Sequence, residues 1–184
     1  GVYSSTQALN LLLENKVIKN FVWNKLYNIR LFDDISFPQG KNFEDIYVTY
    51  KLFLKAEKIA VINDGLYNYI QRKGSISKDI SIKNVNDFFE GYIKRYNDLF
   101  MIVDKTSKIN QLCQIAEAYA YYCGFKGIKK QLKYVKKFLN KEKKELPYFG
   151  KLSKSKKIQF LLNAVGISFY SQYKIKKLFK GMHK

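Results

Sequence analysis

Apolar and polar residues alternate along this chain in ways that mark its elements. Near the start, Ser4-Ser5-Thr6-Gln7 opens a helix, with Ser4 and Gln7 at capping-box spacing and Ala8, Leu11 and Leu12 as its inward stripe. A short apolar run, Phe21-Val22-Trp23, precedes the mixed segment Asn24-Lys25-Leu26-Tyr27. Phe37-Pro38-Gln39-Gly40 reads as a turn. Glu44-Asp45 then begins a second helix, carrying Ile46, Tyr50, Phe53 and Leu54 at helical spacing. Two short strands are expected next, Lys58 to Asn63 and Leu66 to Ile70, joined by the turn Asp64-Gly65. Gln71 to Ser75 is a basic loop containing a glycine.

From about Asn84 the period is helical throughout. Phe88, Tyr92, Tyr96, Leu99 and Val103 form one face, and Ile109, Leu112, Cys113, Ala116, Tyr119, Ala120 and Cys123 a second. Ile128, Leu132, Val135 and Leu139 form a third, with lysines opposite, until Leu146-Pro147 breaks the run. In the last segment Ile158, Phe160, Leu161, Leu162, Val165, Phe169 and Tyr173 make one broad apolar face, followed by Lys174, Lys176, Lys177, Lys180 and Lys184. The expected fold class is α+β, mainly helical. Residues 1–83, 84–146 and 147–184 are expected to form an α+β part, a helical region and a basic amphipathic helical region.

Composition changes this picture in three ways. Hydrophobic residues make up 47% of the 184, enough for a packed core and against wholesale disorder. No run of about 18 apolar residues is present, so no membrane-spanning helix is expected. The charge is lopsided: residues 1–125 carry 16 basic and 13 acidic side chains (+3), and residues 126–184 carry 18 and 2 (+16). A basic tail of this kind fits an anionic partner, such as a membrane surface, to which a lysine-flanked amphipathic helix can bind. Cys113 and Cys123 are expected to be small buried hydrophobes in a reducing compartment, and with one histidine they offer no metal-site spacing. The chain opens on Gly1 with no charged-then-apolar leader, so no signal peptide is expected; Gly1 is either a residue left over from preparing the chain or the start of a piece of something longer.

Three segments carry a resemblance: Val22-Trp23-Asn24-Lys25-Leu26-Tyr27; Phe37-Pro38-Gln39-Gly40 leading to Phe43-Glu44-Asp45; and Tyr67-Asn68-Tyr69-Ile70-Gln71-Arg72-Lys73-Gly74-Ser75-Ile76-Ser77. In order and spacing they resemble the acceptor-side, C-terminal part of bacterial family 2 glycosyltransferases of the GT-A fold, over roughly residues 1–80. The resemblance implies an inverting, metal-dependent enzyme that moves a sugar from a nucleotide-sugar to a hydroxyl of a cell-surface polysaccharide or lipid-linked acceptor. It implies that donor and metal (Mg²⁺ or Mn²⁺) bind in an N-terminal half with an Asp-x-Asp motif. Neither is found here, so the chain alone is expected to be inactive. Asp33-Asp34 lies in a variable stretch and receives no metal role.

By the same resemblance Asp45 is the catalytic base and Glu44 its support. The first turn of a helix favours an ionised carboxylate, which a base requires, although acidic residues there are also ordinary capping chemistry. Arg72 and Lys73, with Gly74 and Ser75, form an active-site loop suited to a diphosphate. Trp23, Asn24 and Lys25 are candidates for the acceptor site; Trp23 stacks on a sugar or anchors the core, and Tyr69 is expected to be structural. The localisation implied is cytoplasmic, peripheral at the inner face of the plasma membrane. Exposed strand edges would favour a homo-oligomer. Two other classes fit the same residues. One is a non-catalytic glycan- or membrane-surface-binding domain. The other is a nucleic-acid binder using Lys129-Lys130, Lys136-Lys137 and Lys141 to Lys144, but no recognised motif accompanies these lysines, so nucleic acid is not the expected partner.

Overall fold

The computed structural model describes residues 1–70, 80–125, 127–145, 160–164 and 166. Among them, helices predominate and a single antiparallel strand pair is present. The chain divides into two compact units, Gly1–Gln111 and Leu112–Lys184.

The first unit begins with β1 (Val2–Ser4), then α1 (Ser5–Glu14), α2 (Glu44–Lys55), β2 (Lys58–Ala60) and α3 (Ile82–Leu99). The first turns of α4 (Lys105–Tyr122) complete it. The capping box is formed as expected: the Ser4 side chain accepts from the Gln7 amide, and Gln7 Oε1 accepts from the Ser4 amide at 3.0 Å. The inward stripe of α1 is Ala8, Leu9, Leu12 and Leu13, with Leu11 only partly buried. These residues pack with Tyr50 and Phe53 of α2 and Leu99 of α3. Each leucine so buried stabilises the fold by about 1.5–3 kcal/mol.

The sheet differs from the expected one. Lys58–Ala60 is a strand, but it pairs with Val2–Ser4, in the register Val2↔Ala60. Leu66 to Ile70 is not a strand. Leu66 and Ile70 are 79% and 71% exposed, so the segment has no buried face to pay for pairing. Its alternation serves another end: Tyr67 and Tyr69, two residues apart, both stack on Trp23.

Helices α2 and α3 approach closely at Gly91, where an added Cβ would lie 2.8 Å from the Tyr47 ring. The Tyr47 hydroxyl donates to the Asp87 carbonyl at 2.6 Å and fixes that ring. The turn before α2 is tied to α3 as well. The Asn42 amide donates to Asp87 Oδ2 at 3.0 Å, and Lys41 pairs with Asp87 and Glu90 at 3.3 and 2.8 Å.

The second unit contains the rest of α4, α5 (Leu132–Glu145) and a helical turn at 160–164. Leu112, Ile115, Ala116, Ala120, Val135 and Leu139 are the most deeply buried apolar residues among those described in it. Cys113 and Cys123 are not in a disulfide and are half-buried rather than fully buried. Burial raises the Cys123 thiol, against a hydrogen bond with Tyr119. Of the tail's apolar face, Phe160 is buried but Leu161 and Leu162 are exposed, because the inward positions are 160, 163 and 164. The remainder of that face and the lysines after it lie outside the described residues.

Candidate functional site

Asp45 stands in the first turn of α2, after Phe43, whose backbone is left-handed (φ 58°). This turn of the chain aims the helix N-terminus, and Phe43 is held there by edge-on contact with Phe88 of α3 (5.5 Å). Glu44 is exposed and Asp45 half-buried. Burial, then the neighbouring Glu44 carboxylate, push the Asp45 carboxyl above its ordinary value. The Ile46 amide and the charges of Lys25 and Arg95 pull it down, and do not prevail. Burial thus works against the helix terminus, and the net direction is upward. A carboxylate raised in this way is a better proton acceptor than a free aspartate.

The charges of Lys25 and Arg95 act on this carboxyl, and its own charge acts on the phenols of Tyr27 and Tyr92. Lys25 Nζ donates to the Lys19 carbonyl (2.8 Å), the Phe21 carbonyl and Asn24 Oδ1 (2.8 Å). Those three acceptors use its three donors, so Lys25 staples its own loop while lending charge to Asp45. Burial lowers its pKa to about 8, against the pull of Asp45. Arg95 is fully buried in α3. Its Nε donates to Gln111 Oε1 (3.2 Å), and another guanidinium N–H to Asn20 Oδ1 (3.1 Å). It also lies over the Tyr92 ring, 4.6 Å from the centroid. Asn20 in turn accepts from Thr49 Oγ1 through its carbonyl at 2.7 Å. One buried polar chain therefore joins the loop before Trp23 to α2, α3 and α4.

Tyr27 and Tyr92 are the two phenols so affected. Both phenols are raised, mainly by burial and in part by the Asp45 charge, Tyr27 to about 12. The Tyr27 ring packs with Ile46, Tyr47, Val48 and Leu52 and meets Phe32 edge-on at 5.6 Å. Its hydroxyl is buried without a hydrogen-bond partner.

The structure thus brings Asp45, Glu44 and Lys25 to one end of α2. Trp23 sits in an aromatic stack, with ring centroids 4.8 Å from Phe21, 4.5 Å from Tyr67 and 4.8 Å from Tyr69. Asn24 is exposed and accepts from Lys25. Arg72, Lys73, Gly74 and Ser75 lie outside the described residues. Among the described residues no group of three His, Cys, Asp or Glu side chains is placed to hold a metal ion. Asp34 is instead paired with Lys55.

Sequence reasoning gave no site role to Arg95, to its partner Asn20 or to Tyr27. Arg95 did leave a signal, since it occupies the apolar stripe of α3, three residues after Tyr92 and four before Leu99. A charge in such a stripe needs buried partners. Tyr27 lies in a segment that carries the resemblance, but an aromatic at the end of a mixed segment gives no sign of its own role.

No family model matches the chain, and no solved structure matches it. A segment of 81 residues, 42% of the chain, is 40% identical to the glycosyltransferase GlyA of Streptococcus pneumoniae, and spans 12% of that protein. Another of 70 residues, 35% of the chain, is 40% identical to the cholesterol galactosyltransferase of Borreliella burgdorferi, and spans 19% of it. Over 147 residues, 75% of the chain, identity is 27% to the processive diacylglycerol beta-glycosyltransferase of Mycoplasma genitalium, of which 42% is spanned. The chain is similar to parts of glycosyltransferases, and spans less than half the length of each of these relatives.

Proposed function

We propose that this chain is the acceptor-side part of an inverting glycosyltransferase of family 2, with the GT-A architecture, and that Asp45 is its catalytic base. The observation that carries the reading is the half-buried Asp45 carboxyl in the first turn of α2, raised by burial and flanked by Lys25 and Arg95. In the reaction, Asp45 takes the proton from the acceptor hydroxyl. That oxygen forms its bond to the anomeric carbon as the bond to the leaving diphosphate breaks. Glu44, exposed beside it, contacts the acceptor. Arg72 and Lys73, with Gly74 and Ser75, meet the charge developing on the diphosphate. Trp23 and Asn24 border the acceptor site. The nucleotide-sugar and a Mg²⁺ or Mn²⁺ ion belong to an N-terminal half. The described residues of this chain do not fit a metal, and none is assigned to one.

The acceptor in this reading is lipid-linked or held at a cytoplasmic membrane face. Support comes from the basic excess after residue 125, and from two relatives whose names specify cholesterol and diacylglycerol. No helix among the described residues is long and apolar enough to cross a membrane, so attachment would be peripheral. Open edges of the β1–β2 pair would support self-association.

The test is UDP release from a panel of UDP-sugars with Mn²⁺, by a polypeptide that joins this chain to its nucleotide-binding half. Asp45→Asn is expected to cut turnover by about 10²- to 10⁴-fold while donor binding is kept. Equal turnover in the two proteins would remove Asp45 from the chemistry.

A further inference from the structure

Arg95 is fully buried in α3, three residues after Tyr92 and four before Leu99 in the apolar stripe of that helix. An apolar side chain there would pack without the cost of taking a guanidinium out of water, so packing does not account for an arginine. What an arginine adds is a planar fork of donors. One prong, Nε, donates to Gln111 Oε1 of α4 at 3.2 Å, and another, Nη1, to Asn20 Oδ1 at 3.1 Å. The Tyr92 ring lies against the guanidinium, 4.6 Å away. The fork therefore holds a loop residue against two helices.

Asn20 is the hub of that loop. Its carbonyl accepts from Thr49 Oγ1 of α2 at 2.7 Å. The carbonyls on either side of it, those of Lys19 and Phe21, both accept from Lys25 Nζ. Residues 19–25 are thus closed into a ring by Lys25 and pinned to the helices at Asn20, which is buried. Trp23, the one tryptophan of the chain, lies within that ring. We infer that Arg95 is a positioning residue: through Asn20 its guanidinium fixes the 19–25 segment, and so sets where Trp23 and Lys25 stand. The consequence for acceptor binding rests on the proposed function, in which Trp23 borders the acceptor site. The anchoring itself does not.

The test uses Asn20→Leu, which keeps the bulk of residue 20 and removes the oxygen that Arg95 grips. Thr49 can still donate to the residue-20 carbonyl, so the chain should fold. In the 184-residue chain, acrylamide quenching of Trp23 should rise by about twofold, and the near-UV circular dichroism of its aromatic stack should be lost. Asn20→Asp, which keeps an oxygen for the guanidinium, should restore both. Arg95→Lys keeps a cation without the fork, and should move the same two readouts in the same direction as Asn20→Leu. In the joined enzyme, KM for the acceptor should rise by about tenfold in Asn20→Leu while kcat stays within about twofold. Folded variants with wild-type quenching and dichroism would overturn the inference, because the stack with Tyr67 and Tyr69 would then suffice to hold Trp23. Loss of folding in both Asn20→Leu and Arg95→Lys would equally overturn it, by giving Arg95 a role in the whole fold rather than in one loop. A displaced Trp23 with unchanged acceptor KM would leave the anchor standing and remove Trp23 from the acceptor site.

Discussion

Lys25 shows how a single side chain is divided between structure and charge. Its ammonium donates to three acceptors, which favours the charged form, yet burial prevails and brings its pKa from 10.5 to about 8. A lysine whose folded pKa is depressed favours the folded state more as pH rises. The folded chain then sheds a proton at about 8 that the unfolded chain keeps to 10.5. Urea denaturation across that window should show stability rising with pH in the wild type, and a flatter profile in Lys25→Met. A profile of unchanged slope in the variant would mean that the burial of Lys25 is not what perturbs it. The Asp45 carboxyl shifts upward for the same reason, so the acid limb of the kcat/KM profile should lie above the ordinary aspartate range.

Among the elements, the α2–α3 contact decides whether the site exists at all. Asp45 is aimed by the start of α2, and α2 is seated by Tyr47 against Gly91. Gly91→Ala would place a methyl 2.8 Å from the Tyr47 ring and 3.2 Å from Ile46, the residue after Asp45. Overpacking of this kind costs about 1–3 kcal/mol, offset in part by about 1 kcal/mol of better helix propensity. A net loss of up to about 2 kcal/mol in urea denaturation is expected. The ring cannot swing aside while its hydroxyl is bonded to Asp87, so Tyr47→Phe in the same chain should recover part of that loss. Additive effects of the two changes would show that the ring is not what resists the methyl.

Taken whole, the molecule is electrically divided, nearly neutral to residue 125 and strongly basic beyond it. On α5 the lysines accompany a buried stripe of Leu132, Val135 and Leu139, which leaves them on the outer faces. The chain should therefore sediment with phosphatidylserine vesicles at low salt and not with phosphatidylcholine vesicles. It should be released at about 1 M salt, where the Debye length is about 3 Å. Binding to RNA with equal salt sensitivity, but not to vesicles, would favour the nucleic-acid reading instead.

Local rules settled much of this protein before any fold was known. The Ser4–Gln7 capping box, the start of α2 at Glu44 and the inward stripe of α5 all follow from spacing within a few residues, because the forces that set them act over one or two turns. The resemblance singled out Asp45 and Lys25, and both stand at the same end of α2. What sequence could not decide was which elements meet. Alternation suggested a strand at Leu66 to Ile70, whereas β2 found its partner in Val2–Ser4, about 55 residues earlier in the chain. Pairing depends on which faces are buried, and that is fixed only when helices pack. The environment of Asp45 arose in the same way. Arg95 is 75 residues from its partner Asn20, and burial gives its guanidinium an influence on Asp45 that water would otherwise have screened.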